Sequence, residues 1–293
     1  HVDYDALLLD LQQGDKVAFG DGAVAVEVIG PQGDALECRV LNGGLLQGRP
    51  GLHIPSDRLR ISTPTREDLI MVDAFVEAGI DMLAVSFVRS AHDVRRVGTE
   101  PYPRGPLVVA KVETRAAVDN LEGIIEASGA VMVARGDLGN ECDIADLPHL
   151  QKEIIQRCIA LGRPAITATQ MLESMVHAST PTRAEASDVY NAVGDGSSAL
   201  MLSGETAIGH DPAGTIRTMH RIAEQADERF DYQGWAHNLE RLRDDLEVDG
   251  DAKITDAMTS ATWRAATEME CTAILCLSRT GFTVRSIARF RPK

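Results

Sequence analysis

Four short motifs recur between Val108 and Gly209 at intervals of roughly thirty residues, the repeat length of successive strand–helix units. Each motif begins as an apolar strand and ends in polar residues, where the strand gives way to a loop. In chain order the motifs are VVAKVE, AVMVARGDLG, AITATQMLESM and ALMLSGETA. Because parallel strands joined by helices bring their carboxyl ends to one edge, we expect these polar residues to share one site. The candidates are Lys111, Glu113, Asp137, Thr169 and Ser203.

The same alternation of strand and helix predicts an α/β fold, an incomplete (β/α)₈ TIM barrel. The segment IDMLAVSFV, which begins at Ile80, adds a fifth strand, whereas a closed barrel needs eight. A core of Val, Ile, Leu and Ala agrees with the low aromatic content of 4%. A helix is predicted after Thr65, which forms a capping pattern with Asp68, and Gly79 is a natural end for it.

The sequence on either side of the barrel segment has a different pattern. Residues 1–60 contain short alternating apolar runs separated by glycine-rich turns, which predicts a small β unit. Residues 231–251 are polar and acidic, and suit a linker or an exposed helix. From Ile254 onward, a helix, the strand CTAILCLS and a second helix over VRSIARF predict the beginning of a further α/β unit.

Charge and apolar content argue against several classes of function. A formal net charge of −15 argues against nucleic acid as a partner, because binding a phosphate backbone requires a basic surface. No apolar run approaches the roughly 20 residues of a membrane span, so no membrane partner is expected. Five cysteines without metal-binding spacing or a secretory signal indicate a reducing cytoplasm. A start at His1 and a stop just after Pro292 suggest that both ends are cut.

Lys111 and Glu113 are candidates for electrostatic chemistry because they project from the same face of one strand. Burying a cation and an anion is unfavourable unless they serve each other or a ligand, so a simple ion pair is one interpretation. Asp137 ends the neighbouring strand and adds a second carboxylate. Mg²⁺ takes one or two protein carboxylates and completes its shell with water and substrate oxygens. Metal ligation by Glu113 and Asp137 is therefore the favoured interpretation.

Other polar residues of the motifs have both a structural and a functional interpretation. Gly136 would let a ligand approach exposed backbone N–H groups, or would serve only a tight turn. Thr169 and Gln170 offer a hydroxyl and an amide to a carboxylate, although Thr at the end of a strand is also common by propensity. For Ser203 and Glu205 the functional and the structural interpretations stay equally open.

Two further groups of residues are predicted to be structural. Thr182 and Glu185 match a capping box at the start of a helix, and capping is the favoured role there. Six histidines lack carboxylate or cysteine partners at ligand spacing and are expected on the surface or in packing contacts. These are His53, His92, His149, His177, His210 and His220.

Together the motifs resemble the pyruvate kinase family over nearly the whole chain, from Gly14 to Pro292. The most specific segments are LAVSFVRSAHDV, VVAKVE, MVARGDLG, ITATQMLESM, PTRAEASDVYNAV and MLSGETA, in family order and spacing. The resemblance implies a partial barrel domain over 61–230 with a partial β-barrel lid domain over 1–60. Residues 231–253 would then be a linker, and 254–293 the start of a C-terminal α/β allosteric domain.

The resemblance implies an enzyme that transfers the phosphoryl group of phosphoenolpyruvate to ADP, giving pyruvate and ATP. Glu113 and Asp137 would hold Mg²⁺ or Mn²⁺, and Lys111 would neutralise the group in transfer. The backbone amides of Gly136 and Asp137, together with Thr169, would hold the substrate carboxylate. In this family the enolate is then protonated at carbon.

Further properties follow from the same resemblance. Thr169 and Ser203 resemble members of a water-mediated proton relay to the enolate. The loop LSRTGFT resembles one that holds a sugar-phosphate effector, which makes Ser278, Thr280 and Thr283 candidates for binding a phosphate. Potassium is implied as a cofactor, although its family ligands have no counterpart in this chain. A homotetramer is implied for the full-length protein.

The family's first three barrel strands have no counterpart in this sequence. Five strands cannot close a barrel, so the isolated chain is expected to be inactive, unstable or aggregating. The rival interpretation is a truncated, non-catalytic relative that binds a metabolite or a subunit. Another barrel that handles phosphoenolpyruvate or pyruvate, such as an aldolase, would share the metal carboxylates. It would not account for MLESM, PTRAEASD and MLSGETA together.

Overall fold

A small antiparallel sheet forms the first part of the molecule. The computed structural model describes residues 2, 4, 6–20, 22, 24–46, 48, 50–244 and 250–292. After a short helix, α1 (Leu7–Asp10), the strands are β1 (Lys16–Phe19), β2 (Val24–Gln32), β3 (Ala35–Asn42) and β4 (Leu52–His53). They pair in the order β3-β2-β1-β4, and we call them the amino-terminal sheet. Its core is apolar and contains Leu11, Val17, Val28 and Ile54. This architecture agrees with the small β unit predicted from residues 1–60.

Five parallel strands form the second sheet, one for each strand predicted from the motifs. They are β5 (Met82–Val85), β6 (Leu107–Val112), β7 (Ala130–Ala134), β8 (Ala165–Ala168) and β9 (Ala199–Met201). Each strand pairs with the next one along the chain, in the order β5-β6-β7-β8-β9. The fold is therefore α/β, a partial barrel with an added antiparallel sheet, as predicted. Because all five strands run the same way, their carboxyl ends lie along one edge of the sheet.

Helices connect the parallel strands and cover the sheet. They are α2 (Arg66–Glu77), α3 (Ala91–Arg95), α4 (Arg115–Asp119), α5 (Leu121–Ala127), α6 (Arg135–Glu141), α7 (Leu147–Ala160), α8 (Arg183–Gly194), α9 (Gly204–Ala207) and α10 (Pro212–Glu228). A 3₁₀ turn, Glu173–Val176, follows β8. Among the described residues, no helix has both the length and the apolar character needed to cross a lipid bilayer.

Local sequence signals set the boundaries of two of these helices. Thr65 caps α2 by accepting from the N–H of Asp68, whose carboxylate accepts from the N–H of Thr65 in return. Thr182 and Glu185 form the same reciprocal pair at the start of α8. Both predicted capping boxes are confirmed, and each satisfies N–H groups that the first helical turn leaves unpaired.

The main hydrophobic core lies between the parallel sheet and helices α5 and α7. All five residues of β7 are buried, which fits the central strand of a sheet covered on both faces. On the helices, Ile124, Ile125, Ile154 and Ile155 are fully buried against it. Burying each such side chain contributes about 1.5–3 kcal/mol, so this layer fixes the strand ends that carry the polar motifs.

The carboxyl-terminal part of the described chain is helical, which corrects the expectation of a strand there. The predicted linker 231–253 contains α11 (Tyr232–Asp244), which buries Ala236 and Leu239 in the main core; its residues 245–249 lie outside the described residues. The chain continues with α12 (Gly250–Glu268) and α13 (Phe282–Ala288). The predicted strand CTAILCLS is an irregular segment, with Leu275 98% exposed. A strand needs a neighbour for its backbone hydrogen bonds, and among the described residues none lies beside it.

Candidate active site at the carboxyl edge of the parallel sheet

The polar residues predicted from the motifs lie at the carboxyl edge of the parallel sheet. Lys111 is the last residue but one of β6, and Glu113 follows that strand directly. Asp137 is in the first turn of α6, which begins as soon as β7 ends. Thr169 and Ser203 follow β8 and β9. Sheet order therefore brings residues from four consecutive units to one edge, as the spacing predicted.

A buried ion pair forms the centre of the site. The Nζ of Lys111 lies 2.5 Å from Oε1 of Glu113 and donates a hydrogen bond to Oγ of Ser86 at 3.0 Å. The carboxylate of Glu113 is fully buried, while about a quarter of the Lys111 side chain (24%) is exposed. The second oxygen of Glu113 accepts the N–H of Phe87 at 2.6 Å. The pair therefore has a fixed anion and a cation whose tip reaches solvent.

The backbone at Phe87 is strained where it supports this pair. Its φ angle is 53°, a left-handed conformation that bulky side chains rarely adopt. That conformation directs the Phe87 N–H at the Glu113 carboxylate. Sequence reasoning assigned no role to Ser86 or Phe87, although both lie in the quoted segment LAVSFVRSAHDV. Apolar periodicity identifies the strand, but it does not predict which backbone N–H after the strand contacts the Glu113 carboxylate.

The electrostatics of the site suit a divalent cation. Burial raises the pKa of Glu113 above its usual value, and the negative charge of Asp137 contributes to the same rise. The hydrogen bond and charge of Lys111, with the N–H of Phe87, act in the opposite direction without cancelling it. The Asp137 carboxylate is partly exposed and forms no hydrogen bond or ion pair with the described residues.

Two oxygen-donor side chains are thus available for a hard metal ion. Within the described part of the chain, no group of three or more His, Cys, Asp or Glu residues has the arrangement of a metal site. A pair of carboxylates is still sufficient for Mg²⁺, which keeps several positions for water and substrate oxygens. Glu113 and Asp137 fit that requirement, since they face each other closely enough for one charge to shift the pKa of the other.

Gly136 and Thr169 are in direct contact. The N–H of Gly136 donates to Oγ1 of Thr169 at 2.8 Å, and that hydroxyl donates to the carbonyl of Ala168 at 2.7 Å. A Cβ on Gly136 would lie 3.6 Å from Thr169 Oγ1, an ordinary contact, and Gly136 has no positive φ. Neither the turn nor the packing requires glycine there. Close approach by a ligand is the interpretation that this geometry supports.

The turn after β8 has two residues with positive φ, Thr169 at 68° and Gln170 at 51°. For a β-branched residue such as Thr this is a genuine outlier. Arg135 holds the turn by donating to the carbonyl of Thr169 at 2.6 Å and to the sulfur of Met171 at 2.9 Å. The same guanidinium contacts both carboxylate oxygens of Asp188 on α8, at 2.7 and 2.9 Å.

Arg135 is a positioning residue that sequence reasoning missed. It lies in the motif AVMVARGDLG, directly before Gly136. Its partner Asp188 lies on α8, the helix of the next strand–helix unit along the chain. An arginine that ends a buried strand was a usable signal, because a buried guanidinium needs acceptors.

Ser203 and Glu205 have different roles in the structure. Glu205 is fully buried, and its two oxygens accept the N–H of Ser203 at 2.7 Å and the N–H of Leu172 at 3.1 Å. It therefore joins the loop after β9 to the loop after β8, which is a structural role. The hydroxyl of Ser203 forms no hydrogen bond with the described residues, so it is available to a ligand or water.

Glu141 connects the site to the amino-terminal sheet. At the end of α6, its carboxylate accepts from Ser56 Oγ at 2.6 Å and Ser56 N at 3.0 Å, and lies 3.1 Å from Nε2 of His53. It also accepts the N–H of Arg115 at 3.2 Å, just beyond Glu113. His53 was expected on the surface or in packing contacts, and the structure gives it this carboxylate partner.

The candidate effector residues lie apart from these contacts, in the loop that leads into α13. Ser278, Thr280 and Thr283 are close in sequence, and Gly281 between them is left-handed with φ of 76°. Oγ1 of Thr280 accepts the N–H of Phe282 at 3.4 Å. The structure does not bring these residues into contact with the barrel residues of the site.

Comparison with known proteins identifies the family. The model of the family described as "Pyruvate kinase, barrel domain" matches residues 1–216. The chain belongs to the pyruvate kinase family. Its curated relatives include the pyruvate kinases of Bacillus licheniformis, 38% identical over 297 residues, and Clostridium acetobutylicum, 37% identical over 297 residues. The pyruvate kinase of Thermococcus litoralis is 37% identical over 295 residues.

The chain spans about half the length of some of these relatives. Each of the three alignments covers 100% of this chain, but 50% of the Bacillus licheniformis protein and 61% of the other two. The resemblance read from the motifs is therefore confirmed at the level of the family. The partial coverage of the relatives also shows that this chain corresponds to a part of a pyruvate kinase.

Proposed function

We propose that this chain is part of a pyruvate kinase that transfers the phosphoryl group of phosphoenolpyruvate to ADP, giving pyruvate and ATP. The observation that carries the proposal is the Lys111–Glu113 pair, held at 2.5 Å on the carboxyl edge of the sheet. Beside it lies the carboxylate of Asp137, which pairs with none of the described residues. This reaction is the last step of glycolysis, and we expect a cytoplasmic protein.

The proposed metal site consists of Glu113 and Asp137. When bound there, Mg²⁺ or Mn²⁺ would neutralise negative charge on the enolate and phosphoryl oxygens. The burial of Glu113 supports this role, because a cation stabilises a carboxylate that is removed from water and lies beside a second carboxylate. Potassium is a further cofactor by family analogy, and we assign it no residue of this chain.

Lys111 is proposed to neutralise the phosphoryl group during transfer. Phosphoryl transfer passes through a loose transition state, so catalysis consists mainly of positioning and charge stabilisation. Contacts with Glu113 and Ser86 hold the ammonium group in place, while the Lys111 side chain remains partly exposed to solvent. The ammonium is thus fixed before substrate arrives, which is the arrangement that electrostatic catalysis requires.

The turn formed by Gly136, Asp137 and Thr169 is proposed to hold the substrate carboxylate. Thr169 Oγ1 now accepts the N–H of Gly136, and rotation of that hydroxyl would free the amide for an anion. The hydroxyls of Thr169 and Ser203 are then the proposed members of the relay that protonates the enolate. The lack of a protein partner for the Ser203 hydroxyl among the described residues supports its contact with water.

The remaining family properties are also proposals. ADP and ATP are the expected nucleotides, and a homotetramer is expected for the full-length protein. Ser278, Thr280 and Thr283 are proposed to contact an effector phosphate in the loop before α13. The backbone carbonyl of Thr280 accepts from Arg285 at 3.2 Å, which holds that loop against the helix.

The test is the substitution Lys111→Met in the protein that carries this chain. We expect kcat to fall by about 10²–10³-fold, as when a transition-state charge partner is removed. The control is Lys16→Met, since Lys16 is an exposed lysine of β1. Turnover should be followed as pyruvate formed from phosphoenolpyruvate and ADP. An unchanged kcat in Lys111→Met would exclude the proposed role, and binding of phosphoenolpyruvate without turnover in the unsubstituted protein would favour a non-catalytic relative.

A further inference from the structure

A second concave site lies at the opposite, amino-terminal edge of the parallel sheet. It is a cavity of about 460 Å³ between α13 and the loops that lead into β8 and β9. Gly162, Pro164 and Ser198 line it on the barrel side, and Trp235 of α11 forms one wall. Its volume lies in the range of about 300–1,000 Å³ that small-molecule sites occupy. Nothing in the proposed reaction uses this edge of the sheet.

The cavity is strongly basic although the chain as a whole is acidic. Its lining includes Arg163, Arg285, Arg289 and Arg291, and none of the described lining residues is Asp or Glu. The chain carries a formal net charge of −15, so its overall composition does not account for a cavity lined by four arginines. The positive charge is concentrated where α13 packs on the barrel.

Two of the four arginines have carboxylate partners outside the cavity. Arg289 forms an ion pair with Asp256 at 2.7 Å, and Arg291 forms one with Asp227 at 2.6 Å. Asp227 balances Arg291, whereas Asp256 is shared between Arg289 and Arg243, so positive charge remains at that position. The other two arginines of the lining have no carboxylate partner among the described residues.

Arg163 and Arg285 form no ion pair with any residue that the structure describes. Arg163 donates only to the backbone carbonyls of Ser128 and Glu126, at 2.8 and 3.4 Å. Arg285 donates to the carbonyl of Thr280, and its Nε is buried without a partner. Two partly buried guanidinium groups thus line one cavity with no counter-ion among the described residues, although charges withdrawn from water normally have one.

The two guanidinium groups also repel each other. Burial lowers the pKa of Arg163, and the positive charge of Arg285 lowers it further. The charge of Glu126 acts in the opposite direction and is outweighed. An anion between the two arginines would remove this repulsion.

The chemistry of the lining indicates which anion fits. Guanidinium groups bind phosphate through paired, charge-assisted hydrogen bonds, and Ser197 and Ser198 add hydroxyl groups to the lining. Trp235 offers an apolar wall, and its ring is fixed because its Nε1 donates to the carbonyl of Arg289 at 2.8 Å. The ring lies so close to Gly196 that a Cβ there would be 2.3 Å from it.

We propose that this cavity binds a small phosphate monoester, with Arg163 and Arg285 on the phosphate and Trp235 against the organic group. The site is separate from the loop with Ser278, Thr280 and Thr283, because none of those three residues lines the cavity. A ligand there would connect α13 to the amino edge of the barrel. The proposal does not depend on the proposed reaction, since it concerns binding alone.

Tryptophan fluorescence gives a direct test, because the chain has two tryptophans and only Trp235 lines the cavity. A Trp263→Phe background, which keeps a ring stacked on Phe290, reports Trp235 alone. The probes are inorganic phosphate and phenyl phosphate, with benzyl alcohol as the uncharged comparison. We expect a saturable change with phenyl phosphate, a weaker one with phosphate and none with benzyl alcohol.

Substitutions separate the cavity from the neighbouring loop. Arg285→Met should weaken phenyl phosphate binding at least about tenfold, which corresponds to about 1.4 kcal/mol. Arg279→Met is the matched control, because Arg279 is exposed and does not line the cavity; it should bind normally, as should Thr280→Ala. Circular dichroism should establish that each variant is folded. Arg163→Met is the second variant, and Arg285→Met decides alone if Arg163→Met does not fold.

Three results would overturn the proposal. One is the absence of any saturable change in the folded, unsubstituted protein, which would mean that the cavity is closed or already neutralised. Another is unchanged affinity in folded Arg285→Met. The third is loss of binding in Thr280→Ala with normal binding in Arg285→Met, because that pattern would assign the phosphate to the loop.

Discussion

At the scale of single residues, Arg135 has contacts that no other residue of the site could replace. The turn after β8 has positive φ angles at Thr169 and Gln170, a conformation that is unfavourable for side chains of these types. Arg135 donates to the Thr169 carbonyl at 2.6 Å and is held by Asp188. We predict that Arg135→Met lowers the free energy of unfolding by about 3 kcal/mol, because it leaves partly buried carbonyls and a carboxylate without their partner.

Urea unfolding followed by circular dichroism measures this effect. Arg157→Met is the control, because Arg157 forms ion pairs with Glu122 and Glu153 on the surface of the same molecule. Exposed pairs contribute about 0–1 kcal/mol, so the control should lose little stability. Equal losses in the two variants would mean that Arg135 does not stabilise the turn.

The proposed metal ligands give a second prediction at this scale. Mg²⁺ that binds only the folded protein should stabilise it by about 1.4 kcal/mol at ten times the dissociation constant. We expect the melting temperature of the unsubstituted protein to rise with Mg²⁺ and that of Glu113→Gln to rise much less. Differential scanning fluorimetry over a range of Mg²⁺ concentrations is the measurement, with Glu122→Gln, an exposed carboxylate of α5, as the control. A full Mg²⁺ shift in Glu113→Gln would contradict its assignment as a ligand.

At the scale of elements, Glu141 joins α6 to the amino-terminal sheet. Burial alone raises the pKa of Glu141, but hydrogen bonds from His53, Ser56 and the backbone of Arg115 outweigh it and hold the pKa below its usual value. A carboxylate with a lowered pKa stabilises the folded state above its unfolded pKa, and that contribution is lost as pH falls through the folded value. The connection between the two sheets should therefore weaken under acid conditions.

Unfolding of Glu141→Gln at neutral and acid pH tests this connection. We expect the variant to lose about 2 kcal/mol at pH 7, since charge-assisted hydrogen bonds become neutral ones. The difference from the unsubstituted protein should shrink as pH falls through the lowered pKa of Glu141, where the folded carboxylate takes up a proton. Glu122→Gln should show no such trend. A stability difference that is constant with pH would indicate that only the shape of the side chain matters.

The elements also show how far the sequence predicts the structure. The five strands were predictable because each is a short apolar run followed by a polar motif, and the capping boxes because three-residue spacing specifies them. CTAILCLS has the composition of a strand, yet a strand forms only beside another strand, which local sequence does not report. The Lys111–Glu113 pair followed from period-two geometry. The contacts of Arg135 with Asp188 and of Glu141 with Ser56 did not, because they join segments far apart in the chain.

At the scale of the whole molecule, the parallel sheet has two open edges. In the described part of the chain, β5 and β9 each pair with one strand only. Beside β5 the surface is apolar: Met82 in that strand is 61% exposed, and the exposed side chains of Met71 and Phe75 of α2 line a groove with other residues of β5. An unpaired strand beside apolar surface is a template for association with another chain. The purified 293-residue chain should therefore form oligomers whose mass rises with concentration.

A charge on the open edge should reduce that association. Met82→Lys places a cation on β5, and edge lysines are a common means of preventing strand pairing between molecules. We expect light scattering after size-exclusion chromatography to give a lower mass for Met82→Lys than for the unsubstituted chain. Met258→Lys is the matched control, because Met258 is similarly exposed (63%) but lies on α12, away from either edge. A monomer at all concentrations, or an equal decrease in both variants, would mean that the edge of β5 does not drive association. Normal turnover by such a monomer would further show that five strands suffice for the activity.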